Sequence, residues 1–165
     1  MALKEKEQKI LKVMQEQKLC VPHITKIAHR AHEPTSTVRD RLLAMEKEGV
    51  IKGYVPEIDP AKAGQEVLVF VLANLDQKTL ESPDSVCEKI AKFDFVQGVY
   101  FLVGEKDILI KVRAKDISDY RQKMTQLRKF IVGGGGIVVS KVYKDTLHVP
   151  IEITQESEQR FKSGS

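Results

Sequence analysis

Residues 34–54 read PTSTVRDRLLAMEKEGVIKGY: a proline, three hydroxyls, a mixed charged and apolar run, then a glycine and a short apolar tail. Proline is tolerated in a first helical turn, and Thr35 offers a hydroxyl to the free amide hydrogens, so a helix is expected to begin at Pro34 or Thr35. Gly49 marks its end. On a helical wheel Val38, Leu42 and Met45 share one face, which is the face expected to be buried. Ser36, Asp40, Leu43 and Lys47 lie opposite, with Arg39 to the side. Leu43 is out of place on a solvated face. The stretch is either an ordinary surface helix or one that offers its first two turns to a DNA groove.

Upstream, Leu3, Ile10, Leu11 and Met14 carry the period of a surface helix over residues 4–17. Pro22 suits the first turn of a second helix, in which Ile24, Ile27, Ala28 and Ala31 repeat at i, i+3, i+4, i+7. A turn of three residues, Ala31 to Glu33, then leads into the third. Three short helices with the last two closely joined form a helix-turn-helix, whose final helix places its N-terminal half in the major groove. Thr35, Ser36, Thr37, Arg39, Asp40 and Leu43 are then the residues expected at DNA. Hydroxyls bond phosphates or base edges, an arginine forks onto guanine or phosphate, an aspartate accepts from a cytosine amine, and a leucine meets a thymine methyl.

Charge divides unevenly. Residues 1–55 hold 11 Lys+Arg against 7 Asp+Glu, residues 56–165 hold 16 against 16, and the whole formal +4 therefore sits in the first third. His23, His29 and His32 lie there too. A local basic excess is what a polyanion-binding module needs, because each phosphate it neutralises releases condensed counterions.

The runs ILKVMQ (10–15) and ITKIAHRAHEPTSTVRDRLLAMEKEGVIKGYVPEIDPAKAG (24–64) resemble the N-terminal domain of the Lrp/AsnC, or feast/famine, family of prokaryotic transcription regulators. Ser36, Thr37, Val38, Arg41, Glu46, Gly49, Val50, Ile51, Tyr54, Asp59 and Pro60 match that family's pattern in order. Two positions depart from it. His32 stands where the family has a turn glycine, and Pro34 stands where it has a capping serine.

Beyond residue 66 the pattern becomes extended: VLVFVLANL (67–75), GVYFLVG (98–104), DILIKVR (107–113) and GIVVSKVY (136–143). Helical spacing intervenes twice, with Val86, Ile90 and Phe93 in 82–93, and with Tyr120, Met124, Leu127 and Ile131 in 117–131. The order is βαββαβ, two helices on one face of an antiparallel sheet. Val67 to Leu72 cannot all point at those helices, so a second copy of the sheet is expected to cover the other face. The resemblance implies the same sheet-to-sheet dimer, with further assembly to tetramers or octamers, and two-fold symmetry implies pseudo-palindromic DNA sites.

In the same family a Gly-x-x-Asp turn borders a pocket for amino acids near the dimer contacts. GEKD (104–107) matches it, which makes Gly104, Glu105, Lys106, Asp107 and the strand-four hydroxyl Ser140 candidate effector residues. Read from its residues alone, GEKD is an exposed hairpin turn before it is a ligand site, and the resemblance brings the two readings level. Val103 and Val142 stand where the family often has hydroxyls.

Other signals lead elsewhere. GGGG (133–136) lacks a following Gly-Lys-Ser/Thr and precedes a strand, so it is expected to be a flexible connection rather than a phosphate loop. Cys20 and Cys87 are far apart with no CxxC spacing, so no disulfide framework or metal site is expected, and no cofactor. MALKEKEQKI places charges where a signal peptide needs an apolar stretch, and the longest apolar run, Val67 to Ala73, is too short to span a bilayer. A cytoplasmic protein with no membrane partner is expected.

The expected fold class is α+β. A winged-type helix-turn-helix DNA-binding domain covers 1–55, a linker 56–65, a ferredoxin-like (ACT-like) dimerisation and effector domain 66–150, and a polar tail 151–165. The expected function is a non-enzymatic, sequence-specific regulator that binds double-stranded DNA as a homodimer or higher oligomer, with a small effector such as an amino acid. Two alternatives share the layout: an enzyme like the sirohaem decarboxylases, which resemble this family throughout, and an architectural DNA-binding protein.

Overall fold

The computed structural model describes residues 3–18, 20–76 and 81–151. Apart from Ile151, the expected tail lies outside them. Two compact units emerge among the described residues, one from Lys4–Glu57 together with residues 146–151, the other chiefly from Ile58–Asp145. Among the described residues no helix is long and apolar enough to cross a membrane.

The first unit carries α1 (Glu5–Glu16), α2 (Ile24–Ala31) and α3 (Thr35–Lys47). Pro22 falls outside α2, whose N-cap is His23; the Ile24 N–H reaches back to the Pro22 carbonyl at 3.1 Å. The turn between α2 and α3 is closed by His32 in the left-handed region, φ 54° and ψ 38°. The Glu33 N–H donates to the Ala28 carbonyl at 3.0 Å and completes it. The expected Thr35 cap does not form: Pro34 is the N-cap, no side chain caps the helix, and Val38 N–H donates to the Pro34 carbonyl at 3.0 Å. Pro34 has no side-chain acceptor, so the first N–H groups of α3 are left without a side-chain cap. Gly49, at φ +75°, ends the helix as expected, with its N–H on the Glu46 carbonyl. After α3, Tyr54 is an isolated bridge residue, and no strand of this unit is found among the described residues.

The second unit carries β1 (Val67–Leu75), α4 (Pro83–Ala91), β2 (Val96–Phe101), β3 (Ile108–Ala114), α5 (Ile117–Leu127) and β4 (Ile131–Val138). The four strands form one antiparallel sheet in the order β2-β3-β1-β4. Both helices are capped by the residue before them: Ser82 accepts from Ser85 N–H and Asp116 from Asp119 N–H. Val69, Val71, Ala73 and Leu75 of β1 and Ile108, Ile110 and Val112 of β3 join Val86, Ile90 and Leu127 of the helices in the core. This is the odd-even alternation of a sheet covered on one face.

The other face is partly covered by the chain itself. Residues 139–145 run back across it: Val139 N–H donates to the Leu68 carbonyl at 2.9 Å, and Leu68, Phe70, Val139, Val142 and Tyr143 line one groove. Asp145 accepts from Lys111 and Arg113 of β3. Ile137 and Tyr100 stay exposed.

The glycine run corrects an expectation. Gly133 to Gly136 lie inside β4 rather than in a flexible connection, and the strand begins five residues before the run GIVVSKVY. Glycine is needed there by space: a Cβ on Gly134 would lie 2.6 Å from the Leu72 carbonyl oxygen, and one on Gly136 would collide with the Tyr120 ring.

Candidate functional site

In the first unit, α3 presents two distinct faces. Val38 is buried, with Leu42 and Met45 half-buried, as the helical wheel requires. Thr35, Ser36, Arg39, Asp40 and Leu43 are exposed, while Thr37 is half-buried. Leu43 is 58% exposed, an apolar side chain in the middle of a polar row. Among the described residues Arg39 is held in no ion pair, so its guanidinium is free to fork onto an acceptor.

The far end of α3 is braced. Tyr54 Oη donates to Glu46 Oε1 at 2.9 Å, and Lys18 Nζ donates to the Lys52 carbonyl at 2.7 Å. Burial first, then the hydrogen bond and negative charge of Glu46, push the Tyr54 phenol above its ordinary pKa. Tyr54 therefore stays a neutral donor. The N-terminal turn of α3, with its uncapped N–H groups, is the end left open to an anion.

In the second unit, the GEKD turn is tied into the sheet. Asp107 N–H donates to the Ala73 carbonyl at 3.1 Å, its carbonyl accepts from Leu102 N–H at 2.8 Å, and its carboxylate Oδ2 accepts from Leu75 N–H at 3.0 Å. Asp107 thus closes the β2–β3 hairpin and holds the end of β1. Lys106 Nζ donates to the Gly133 carbonyl at 3.1 Å. Gly104 and Glu105 are exposed.

Ser140 does not join them. It follows Val139, which bonds Leu68, whereas Asp107 bonds Leu75, so the two lie at opposite ends of β1. Seven strand residues separate them by about 23 Å. Ser140 also falls beyond the end of β4, because the glycine run fills the strand positions. The groups brought to the GEKD turn instead are Asn74 and Gly133. Asn74 pairs with Val132 across β1–β4, and its side-chain oxygen Oδ1 is buried without a hydrogen-bond partner. The signal was one polar residue in the apolar run VLVFVLANL.

Both cysteines are free, and burial raises the Cys87 thiol pKa. Among the described residues no three His, Cys, Asp or Glu side chains converge as metal ligands would.

Comparison with known proteins places these features in context. Residues 68–146 match the family model of the Lrp/AsnC ligand binding domain. The HTH-type transcriptional regulator FL11 of Pyrococcus horikoshii is 28% identical over 153 residues, 91% of this chain and 97% of that protein. The transcriptional regulator AzlB of Bacillus subtilis is 35% identical over 107 residues, 63% of this chain and 68% of that protein. A transcriptional regulator of Neisseria meningitidis, solved as a complex with L-Met, shares the fold with a TM-score of 0.69 at 19% identity, covering 90% of this chain and 97% of that one.

Proposed function

Because the chain belongs to the Lrp/AsnC family of transcription regulators, we propose that it reads an operator with the N-terminal half of α3 and responds to an amino acid at its sheet domain. The observation that carries this is the exposed row Thr35, Ser36, Arg39, Asp40 and Leu43 on a helix anchored by buried Val38, behind a three-residue turn. Thr37, half-buried beside it, belongs to the same DNA-facing turn in this reading. Residues 1–55 act as the DNA-binding domain, 56–65 as a linker and 66–150 as the effector and dimerisation domain, in the cytoplasm where the operators are.

Dimerisation uses the sheet face that the 139–145 segment leaves open around Tyr100 and Ile137. A two-fold dimer doubles the DNA contact and sets half-sites a helical turn, or a multiple of it, apart. The effector turn is Gly104 to Asp107; an amino acid is the ligand class suggested by the L-Met complex of the Neisseria protein. Ser140, about 23 Å along the sheet in the same chain, joins such a pocket only if a partner copy supplies it. The activity is regulation without catalysis, in keeping with the relatives named as transcription regulators.

Selection of bound sequences from a random duplex pool tests the reading. A recovered pseudo-palindrome that is lost on Arg39→Ala supports it, and recovery of no enriched motif overturns it.

A further inference from the structure

Asn74 is the only polar residue of β1, and strand alternation puts it outside the helix-packed row of Val69, Val71, Ala73 and Leu75. Asparagine is depleted from strands, and a buried carbonyl oxygen with no donor has lost its hydration without replacement. Asn74 Oδ1 is such an oxygen. Buried polar groups without a partner are rare enough that each calls for a reason.

The surroundings supply one. On one flank Asp107 bonds both neighbours of Asn74, the Ala73 carbonyl and the Leu75 N–H. One carboxylate bond is used, and a carboxylate has about four acceptor positions. On the other flank lies Gly133, at φ +58°, where even a Cβ would stand 3.8 Å from Asn74 Nδ2. Lys106 Nζ bonds the Gly133 carbonyl, and an ammonium has two more donors to give. A lone acceptor, a carboxylate and an ammonium therefore meet at the end of β1, beside a residue without a side chain.

We propose that Asn74 is a specificity-determining residue of the effector site: its Oδ1 accepts a hydrogen bond from the α-ammonium of an amino acid. Asp107 is the counter-ion of that ammonium, and Lys106 meets the α-carboxylate. This rests on the effector reading above and narrows its ligand to amino acids with a free α-amino group. An N-acetyl amino acid, or the α-hydroxy acid of the same side chain, brings too few donors and no positive charge to two acceptors, and is refused. Asp107 alone cannot test this, because it also closes the hairpin and its loss costs stability.

The test is thermal unfolding of the full chain with each of the twenty common L-amino acids in turn, followed by calorimetric titration of those that stabilise it. The N-acetyl and α-hydroxy counterparts serve as controls. Asn74→Leu removes the oxygen at similar volume, and Asn74→Asp keeps an oxygen acceptor. The expected result is that Asn74→Leu melts no lower than wild type without ligand, binds the amino acid at least roughly ten-fold more weakly, and that Asn74→Asp restores binding. If wild type and Asn74→Leu bind the amino acid equally, the role of Asn74 is overturned while the effector reading stands. A lower unliganded melting temperature for Asn74→Leu also overturns it, since a water or a second copy then satisfies Oδ1. If no amino acid stabilises wild type, the effector reading itself fails.

Discussion

Arg113, buried on β3, donates from Nη2 to Asp145 Oδ2 at 3.1 Å, and this pair ties the chain after β4 back across the sheet. Its Nε donates to Gln97 Oε1 at 3.2 Å, and Lys111 Nζ joins Asp145 at 2.7 Å. A buried guanidinium needs a counter-charge, and Asp145 is the one present.

Replacing Asp145 by Asn therefore destabilises the chain by about 1–3 kcal/mol, toward the lower value because the carboxylate is partly exposed. The pH dependence carries the same signature. The hydrogen bond from Lys111, with its charge and that of Arg113, holds the Asp145 pKa below its ordinary value against the opposing effect of burial. A carboxylate with a depressed folded pKa contributes stability that is present above its unfolded pKa, about 3.9, and is lost as pH falls through the folded value. Urea unfolding between pH 7 and pH 3 should show an acid loss in wild type that shrinks in Asp145→Asn. Equal losses would contradict the assignment.

His32 sits at φ 54°, where a side chain is strained and glycine is not. His32→Gly is expected to stabilise the first unit by about 0.5–1 kcal/mol. Thermal unfolding checks it; a lower melting temperature would mean that the histidine side chain contributes more than its backbone strain costs.

The glycines of β4 are not equivalent. Gly134→Ala and Gly136→Ala force a Cβ against Leu72 and Ala73, or against Tyr120, and should cost about 1–3 kcal/mol each. Gly135 has open space and no left-handed backbone, so Gly135→Ala should be neutral or mildly stabilising. Denaturant midpoints of the three variants give the comparison, and equal effects at all three positions would count against the strand placement.

Val38 and Leu43 separate anchoring from reading on one helix. Val38→Ala empties a buried position and should cost about 1–2 kcal/mol of stability. Leu43→Ala, at an exposed position, should leave the melting temperature within experimental scatter and weaken operator binding instead. Loss of stability in Leu43→Ala with unchanged DNA affinity would assign it to packing.

Much of this architecture was legible from residues. β1 runs over Val67–Leu75, the limits its apolar run suggested, because the strand is bounded by charge on both sides. The faces of α3 followed from the 3.6-residue period, which puts buried Val38 and half-buried Leu42 and Met45 on one side. β4 was misread because strand recognition relies on side chains, and Gly133–Gly136 have none; their reason lies in Tyr120, Ala73 and Leu72, which occupy the space. The start of α3 agrees with its sequence signal, but the hydroxyl cap does not form: Thr35 is the first helical residue, and the capping position falls on Pro34, which has no side-chain acceptor. Ser140 was grouped with the GEKD turn by family pattern, whereas strand register decides distance, and register sends them to opposite ends of β1. Asn74 could be seen as an odd residue in sequence, but its unpaired oxygen could be recognised only with the sheet assembled.

Whether the exposed row of α3 reads DNA is decided by fluorescence anisotropy of a selected operator duplex across a salt series, for wild type and Arg39→Ala. Arg39→Ala is expected to stay folded and to lose about 1–3 kcal/mol of affinity for the operator. If Arg39 bonds a base, discrimination between sequences narrows at one position; if it bonds a phosphate, the salt slope falls by about one counterion. Equal affinity and equal salt slope for the two proteins on that duplex would contradict it.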